Sequence, residues 1–124
     1  MSRNLLFAGL CLTLVAVACG GGRARRASSS GPPVVLEVQN DANLDMTLYA
    51  VEQNGNRSRL GLATAHRVTF LSIPNRIIFG LTPLRFQADP IGAAANPATP
   101  EITVEAGDTV VMRIPPSGNI SIGR

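Results

Sequence analysis

The stretch Ile102-Thr103-Val104-Glu105-Ala106-Gly107-Asp108-Thr109-Val110-Val111-Met112-Arg113-Ile114 decides the fold. Ile102 and Val104 before the Ala-Gly-Asp break, and Val110, Met112 and Ile114 after it, recur at every second position. Side chains two apart share one face of a strand, whereas one face of a helix needs a spacing of three or four. Glycine and aspartate supply the turn between the two runs, so the segment reads as a hairpin.

The same period runs through the chain upstream. Val34, Leu36 and Val38 form one apolar row, and Leu44, Met46, Leu48 and Ala50 a second. Leu60 with Leu62, Val68 with Phe70, and Leu84 with Phe86 and Ala88 follow, and Ile120 with Ile122 closes as an edge strand. Asn40-Asp41-Ala42-Asn43 reads as a hairpin turn between the first two runs, and Asn54-Gly55-Asn56 carries the strongest hairpin signal. Pro74, Pro83, Pro90, Pro97, Pro100, Pro115 and Pro116 fall at strand ends or in loops, where a missing N–H harms no ladder. About seven short strands, each with one apolar face, predict an all-β fold: a small antiparallel β-sandwich over residues 34–124. Phe70, Phe79 and Phe86 are expected to face the core. The Ile102–Val110 segment resembles the late strands of immunoglobulin-like and cupredoxin-like sandwiches, in which a Gly-Asp turn precedes a core strand.

The first 33 residues have a different composition. After Arg3, residues 5–18 carry no charge, a run of 14 (18−5+1). A bilayer-spanning helix needs about 20 apolar residues, so this run reads as a secretory signal peptide, residues 1–18. It ends Leu14-Val15-Ala16-Val17-Ala18-Cys19-Gly20, which resembles the lipobox of bacterial lipoproteins, with Ala16 where leucine is usual. That resemblance implies cleavage before Cys19, acylation of Cys19 with palmitate-type chains, and a membrane-anchored, secreted protein. Gly20 is not the aspartate that retains some such lipoproteins at the inner membrane, so the resemblance implies an outer-membrane location, on its periplasmic face or at the cell surface. Much of the remaining mature chain resembles short bacterial lipoproteins of unassigned function, through Tyr49-Ala50-Val51, Arg59-Leu60-Gly61 and Ala88-Asp89-Pro90-Ile91-Gly92.

Residues 20–33 hold no apolar side chain larger than alanine or proline and cannot repay the entropy of ordering. They read as a flexible tether with an r.m.s. reach of roughly 20 Å. Arg23, Arg25 and Arg26 lie nearest the anchor and are candidates for contact with lipid headgroups.

Composition excludes most chemistry. Cys11 lies in the leader and Cys19 is the expected acylation site, so no thiol remains for a disulfide, a thiolate metal site or a nucleophile. His66 is the only histidine, which rules out the two imidazoles and one thiolate of a blue-copper centre. Asp41-x-Asn43-x-Asp45 with Glu52 in twelfth place copies part of an EF-hand calcium loop. However, Met46 stands where the turn needs glycine, and a strand from Asp45 carries Glu52 roughly 20 Å away. Ser58, Ser72, Ser117 and Ser121 sit in no nucleophile elbow. Only Asp89, Glu101, Glu105 and Asp108 are left as carboxylates that folding could bring together.

The expectation is therefore a protein without catalytic activity, metal or cofactor. The formal charge of +3 belongs to the leader and tether, because residues 34–124 hold seven arginines against eight acids. Arg57, Arg59, Arg67, Arg85 and Arg113 accordingly read as a solvated outer face, and no nucleic acid partner is expected. The long irregular stretch Asp89–Pro100 is the candidate partner-binding loop, with Asp89, Pro90, Ile91 and Asn96 as its contact residues. A non-catalytic structural or protein-interaction module in the cell envelope is the expected role; a small-ligand or glycan-binding domain, with Tyr49 as its outward aromatic, is the alternative. Expressed in a bacterial host with radioactive palmitate, the wild-type chain is expected to incorporate label and Cys19→Ser to incorporate none; equal absence of label from both would refute acylation.

Overall fold

The computed structural model describes residues 31–124 and is all-β, with eight strands in two four-stranded sheets and no α-helix among these residues. The strands are β1 (Val34–Asn40), β2 (Met46–Glu52), β3 (Arg57–Ala63), β4 (Arg67–Ile73), β5 (Thr82–Pro90), β6 (Ile102–Val104), β7 (Thr109–Ile114) and β8 (Ser121–Gly123). One sheet has the order β4-β1-β7-β8, the other β3-β2-β5-β6. The expected signal peptide, residues 1–18, and Cys19, Arg23, Arg25 and Arg26 lie outside the described residues.

The rows read from the sequence fill the space between the sheets. Val34, Leu36 and Val38 of β1 and Val110, Met112 and Ile114 of β7 face Leu48 and Ala50 of β2 and Leu84, Phe86 and Ala88 of β5, all at most 1% exposed. Phe86 is the one aromatic ring in this core. Burying such a row removes its apolar surface from water at about 25 cal/mol per Å², the main term opposing chain entropy.

Expectations about facing fail at four places. In β4, Leu71 and Ile73 face inward opposite Leu36 and Val34, so Val68 and Phe70 point to solvent at 54% and 65% exposure. Both parities of β4 carry two apolar residues, and a one-residue change of register exchanges the faces. Leu71 wins because it lies over Gly61 of β3, where an added Cβ would meet Leu71 Cδ2 at 2.8 Å. In β3 a bulge opposite Leu48 and Tyr49 inserts Leu60, which puts Gly61 and Ala63 inward and leaves Leu62 out at 41%. Leu44 precedes β2 and stays 40% exposed. Phe79 is likewise exposed, on the crossing between β4 and β5.

Two turns read as hairpins are crossings between sheets. Residues 41–45 join β1 to β2, and residues 105–108 join β6 to β7, with each pair of strands divided between the two sheets. Asn54-Gly55-Asn56 does form a hairpin, between β2 and β3, with Gly55 at φ +86°. The sandwich is also not wholly antiparallel, because β1 runs parallel to β7 from Val35 opposite Thr109 to Asn40 opposite Ile114.

These connections give the domain two distinct ends. At the entry pole the chain arrives through Gly31–Pro33, packed so closely on the β6–β7 turn that a Cβ on Gly31 would meet that of Ala106 at 2.7 Å. The β2–β3 hairpin and the crossing 74–81, with a 3₁₀ turn at Asn75–Ile77, share this pole. Around it stand Glu52, Glu101, Glu105 and Asp108, balanced by Arg57, Arg76, Arg85 and Arg124. At the opposite end, the loop pole, stand Asp41, Asp45 and Asp89 with Arg67, Arg113 and His66.

Phe86→Ala is expected to lower the unfolding free energy by about 3–5 kcal/mol, through lost transfer energy and a residual cavity. Phe70→Ala, at an exposed site, is expected to cost less than about 1 kcal/mol. Urea denaturation of both variants checks the inverted facing of β4.

Candidate functional site

The loop pole is organised by Asn40, the last residue of β1 and fully buried. Its Nδ2 donates to the carbonyls of Leu44 (2.9 Å) and Ala63 (3.1 Å), and its Oδ1 accepts from the N–H of Ala42 (3.1 Å). One amide thus fixes the crossing 41–45 and the end of β3, and leaves no buried side-chain polar atom unpaired there. Asp45 continues the framework. Its Oδ1 accepts from the N–H of Ala65 at 2.8 Å, tying the β3–β4 turn, and its carbonyl accepts from the N–H of Ile91 at 2.9 Å.

Between these crossings, the loop after β5 and the β7–β8 connection lies an open groove of about 380 Å³. Leu44, Met46, Pro90, Ala95, Pro97 and Pro115 are among the residues that line it. No acid, base or nucleophilic thiol lines it, so it offers shape and apolar surface rather than reactive groups. Rigid prolines and small alanines suit contact with extended chain or apolar side chains of a partner.

The candidate loop residues divide between two jobs. Residues 97–99 run back along β5: Ala88 N–H donates to the Pro97 carbonyl (2.9 Å), Thr99 N–H to the Phe86 carbonyl (2.8 Å), and Phe86 N–H to Thr99 Oγ1 (2.9 Å). Thr99 is 4% exposed, so this half of the loop is part of the sheet edge. Asp89 and Asn96 meet across the loop base, where the Asn96 amide, oriented by its neighbours, donates to Asp89 Oδ1 at 2.8 Å. Pro90 is buried at the end of β5 and lines the groove, and Ile91 stands 55% exposed beside it. The part of the loop between these fastenings is therefore residues 92–95.

Other residues considered from the sequence do not converge. Among the described residues no three acids, histidines or cysteines group to hold a metal ion. In the calcium-like segment, Asn43 Oδ1 is engaged by His66 Nε2 at 2.9 Å and Asp45 by Ala65, while Glu52 lies at the far end of β2. His66 is exposed and has φ +56°, a left-handed turn residue. Asp89 is at the loop pole, whereas Glu101, Glu105 and Asp108 are near the entry pole, and Asp108 pairs with Arg124 at 3.3 Å. Ser58 is buried and receives Arg76 Nη2 at 3.4 Å; Ser72 and Ser121 lie on the β4 and β8 strands, and Ser117 lines the groove.

The arginines separate as well. Arg57, Arg59 and Arg85 share the outer face of β3, β2 and β5 around Tyr49, with the Arg57 guanidinium 4.2 Å from the ring centroid. Arg113 is on the other sheet, donating to Gln39 Oε1 at 2.8 and 3.1 Å, and Arg67 begins β4 at the loop pole.

Comparison with known proteins adds little. No protein-family model matches the chain, and no curated protein matches it. An NMR structure of a protein from Eubacterium rectale is similar with a TM-score of 0.39 and 5% identity, over 73% of this chain and 86% of that one.

In the sequence Asn40 carries only a turn signal, although its amide braces the crossing and the strand end beside the groove. Asn40→Leu removes the donor from two carbonyls and the acceptor from one N–H, and is expected to cost about 2–3 kcal/mol. Hydrogen exchange is expected to quicken at Ala42, Ala65 and Ile91 while the β2–β3 hairpin keeps its protection; uniform loss of protection would count against a local role.

Proposed function

We propose that this protein is a lipid-anchored lipoprotein of the bacterial cell envelope whose β-sandwich acts as a non-catalytic structural or protein-interaction module. The observation that carries the second half of this reading is the apolar groove at the loop pole, opposite the pole where the chain enters. A domain held through Cys19 at its entry pole would turn that groove outward, to where a partner can reach it. The anchoring half rests on the lipobox-like Leu14–Cys19 segment and on the tether composition, and Gly20 in place of a retaining aspartate favours an outer-membrane location. The groove walls offer apolar contact area and little charge, the composition of the centre of a protein interface.

The glycan-binding alternative needs an open aromatic platform. Tyr49 is the outward tyrosine, and the Arg57 guanidinium already covers its ring, so the protein-interaction reading is the stronger.

Ala95→Arg puts a charged side chain into the groove from an exposed loop position and leaves the core untouched. Crosslinking of the anchored chain in whole cells is expected to capture one envelope protein in stoichiometric amount with wild type and at least about tenfold less with Ala95→Arg, the loss of about 1.4 kcal/mol of binding. Equal capture by both would remove the groove from the reading, and retention of the wild-type protein on a glycan array would favour the alternative.

A further inference from the structure

Phe79 and Leu81 are the two most exposed large apolar residues among the described ones, at 75% and 69%. They flank Gly80, whose φ of +64° makes the sharp turn that sends both side chains outward. Thr82 fastens this knuckle: its Oγ1 accepts from the N–H of Phe79 at 2.7 Å and approaches the Gly80 carbonyl at 3.4 Å. The two side chains are thus held out from the domain by a braced turn instead of resting on it. Just below, Ile77 is 5% exposed and anchors the segment in the core.

The position of the knuckle says what covers it. It lies in the crossing 74–81 at the entry pole, the same end at which Gly31–Pro33 joins the domain. Cys19 is only twelve residues before Gly31 (31−19), a chain that spans at most about 40 Å when fully extended. An acylated Cys19 therefore keeps this pole within reach of the bilayer at all times. The entry pole itself carries no net charge, with four acids against four arginines around it, so nothing there opposes contact with a bilayer of either charge.

We propose that the Phe79-Gly80-Leu81 knuckle inserts into the interfacial layer of the membrane that carries the anchor, docking the entry pole on lipid and fixing the groove to face away from it. This rests on the reading of Cys19 as an acylated anchor. Two side chains bury too little apolar surface to recruit a soluble domain, but a tether converts docking into an intramolecular step at high effective concentration. The knuckle therefore orients the domain and does not recruit it. Because the local charges cancel, docking depends on apolar burial and is insensitive to salt and to anionic lipid.

The chain contains no tryptophan, so Phe79→Trp and Leu81→Trp are unique reporters at solvent-exposed sites. The full acylated chain carrying either substitution is reconstituted in phosphatidylcholine vesicles, and flotation reads the anchor separately. Lipid brominated on its acyl chains is expected to quench both reporters roughly twofold, consistent with insertion of about 5–10 Å, with a blue-shifted emission. Ile91→Trp at the loop pole is expected to show neither effect, and adding anionic lipid or salt to change none of the three. A chain that floats with its reporters unquenched overturns docking and leaves the anchor standing. A chain that fails to float overturns both. A blue shift without bromine quenching means that protein, such as a second copy, covers the knuckle, and this also overturns the proposal.

Discussion

The domain depends on one apolar slab, a single side chain thick on each side, between two four-stranded sheets. No thiol other than Cys11 and Cys19 exists in the chain, so no disulfide crosslinks the sandwich, and every inward position must contribute burial. The slab is made almost wholly of valine, leucine, isoleucine, methionine and alanine around Phe86. Asn40 is the exception, fully buried yet polar, and it is tolerable there because its amide makes three hydrogen bonds. The same constraint that demands an apolar interior thus admits Asn40 at its end only with every polar atom paired, and that residue shapes the loops.

How legible each part was follows from how many faces of a strand are apolar. β1, β2, β5 and β7 carry an unbroken apolar row at one parity only, the other being interrupted by polar residues such as Glu37, Thr47, Arg85 and Arg113, so their inward rows Val34–Val38, Met46–Ala50, Leu84–Ala88 and Val110–Ile114 could be read directly. β4 carries them at both, and nothing local to Val68, Phe70, Leu71 or Ile73 says which pair faces in. That choice is made by Gly61 on another sheet. The bulge at Leu60 has no signature of its own, since an extra residue in one strand exists only relative to its partner. Turn chemistry reported where the chain reverses around Asn40 and Gly107, but the same glycine and asparagine geometry serves a hairpin or a crossing between sheets.

The site shows a similar division. The position of the irregular stretch after β5 was evident from its prolines and alanines, whereas the groove was not, because its walls come from segments near residues 44, 95 and 115 that are distant in sequence. Asp89 and Asn96 seemed suited to a partner and prove to be engaged with each other. Polar residues on a loop are as often its internal fastening as its contact surface, and composition alone does not separate the two roles. The difference between the poles, one with an apolar groove, the other with a projecting knuckle, emerges only from the topology.

The parallel pairing of β1 with β7 carries a consequence for the order in which the domain can form. Val35 lies opposite Thr109, 74 residues later (109−35), so the central pair of one sheet is closed by nearly the whole length of the domain. Long-range pairing of this kind must meet its loop-closure entropy before any contact rewards it, which makes folding slow. A chain emerging from its N-terminus first would hold β1 with one flank open until β7 arrived. The sandwich is therefore completed late, once β7 is available to close β1.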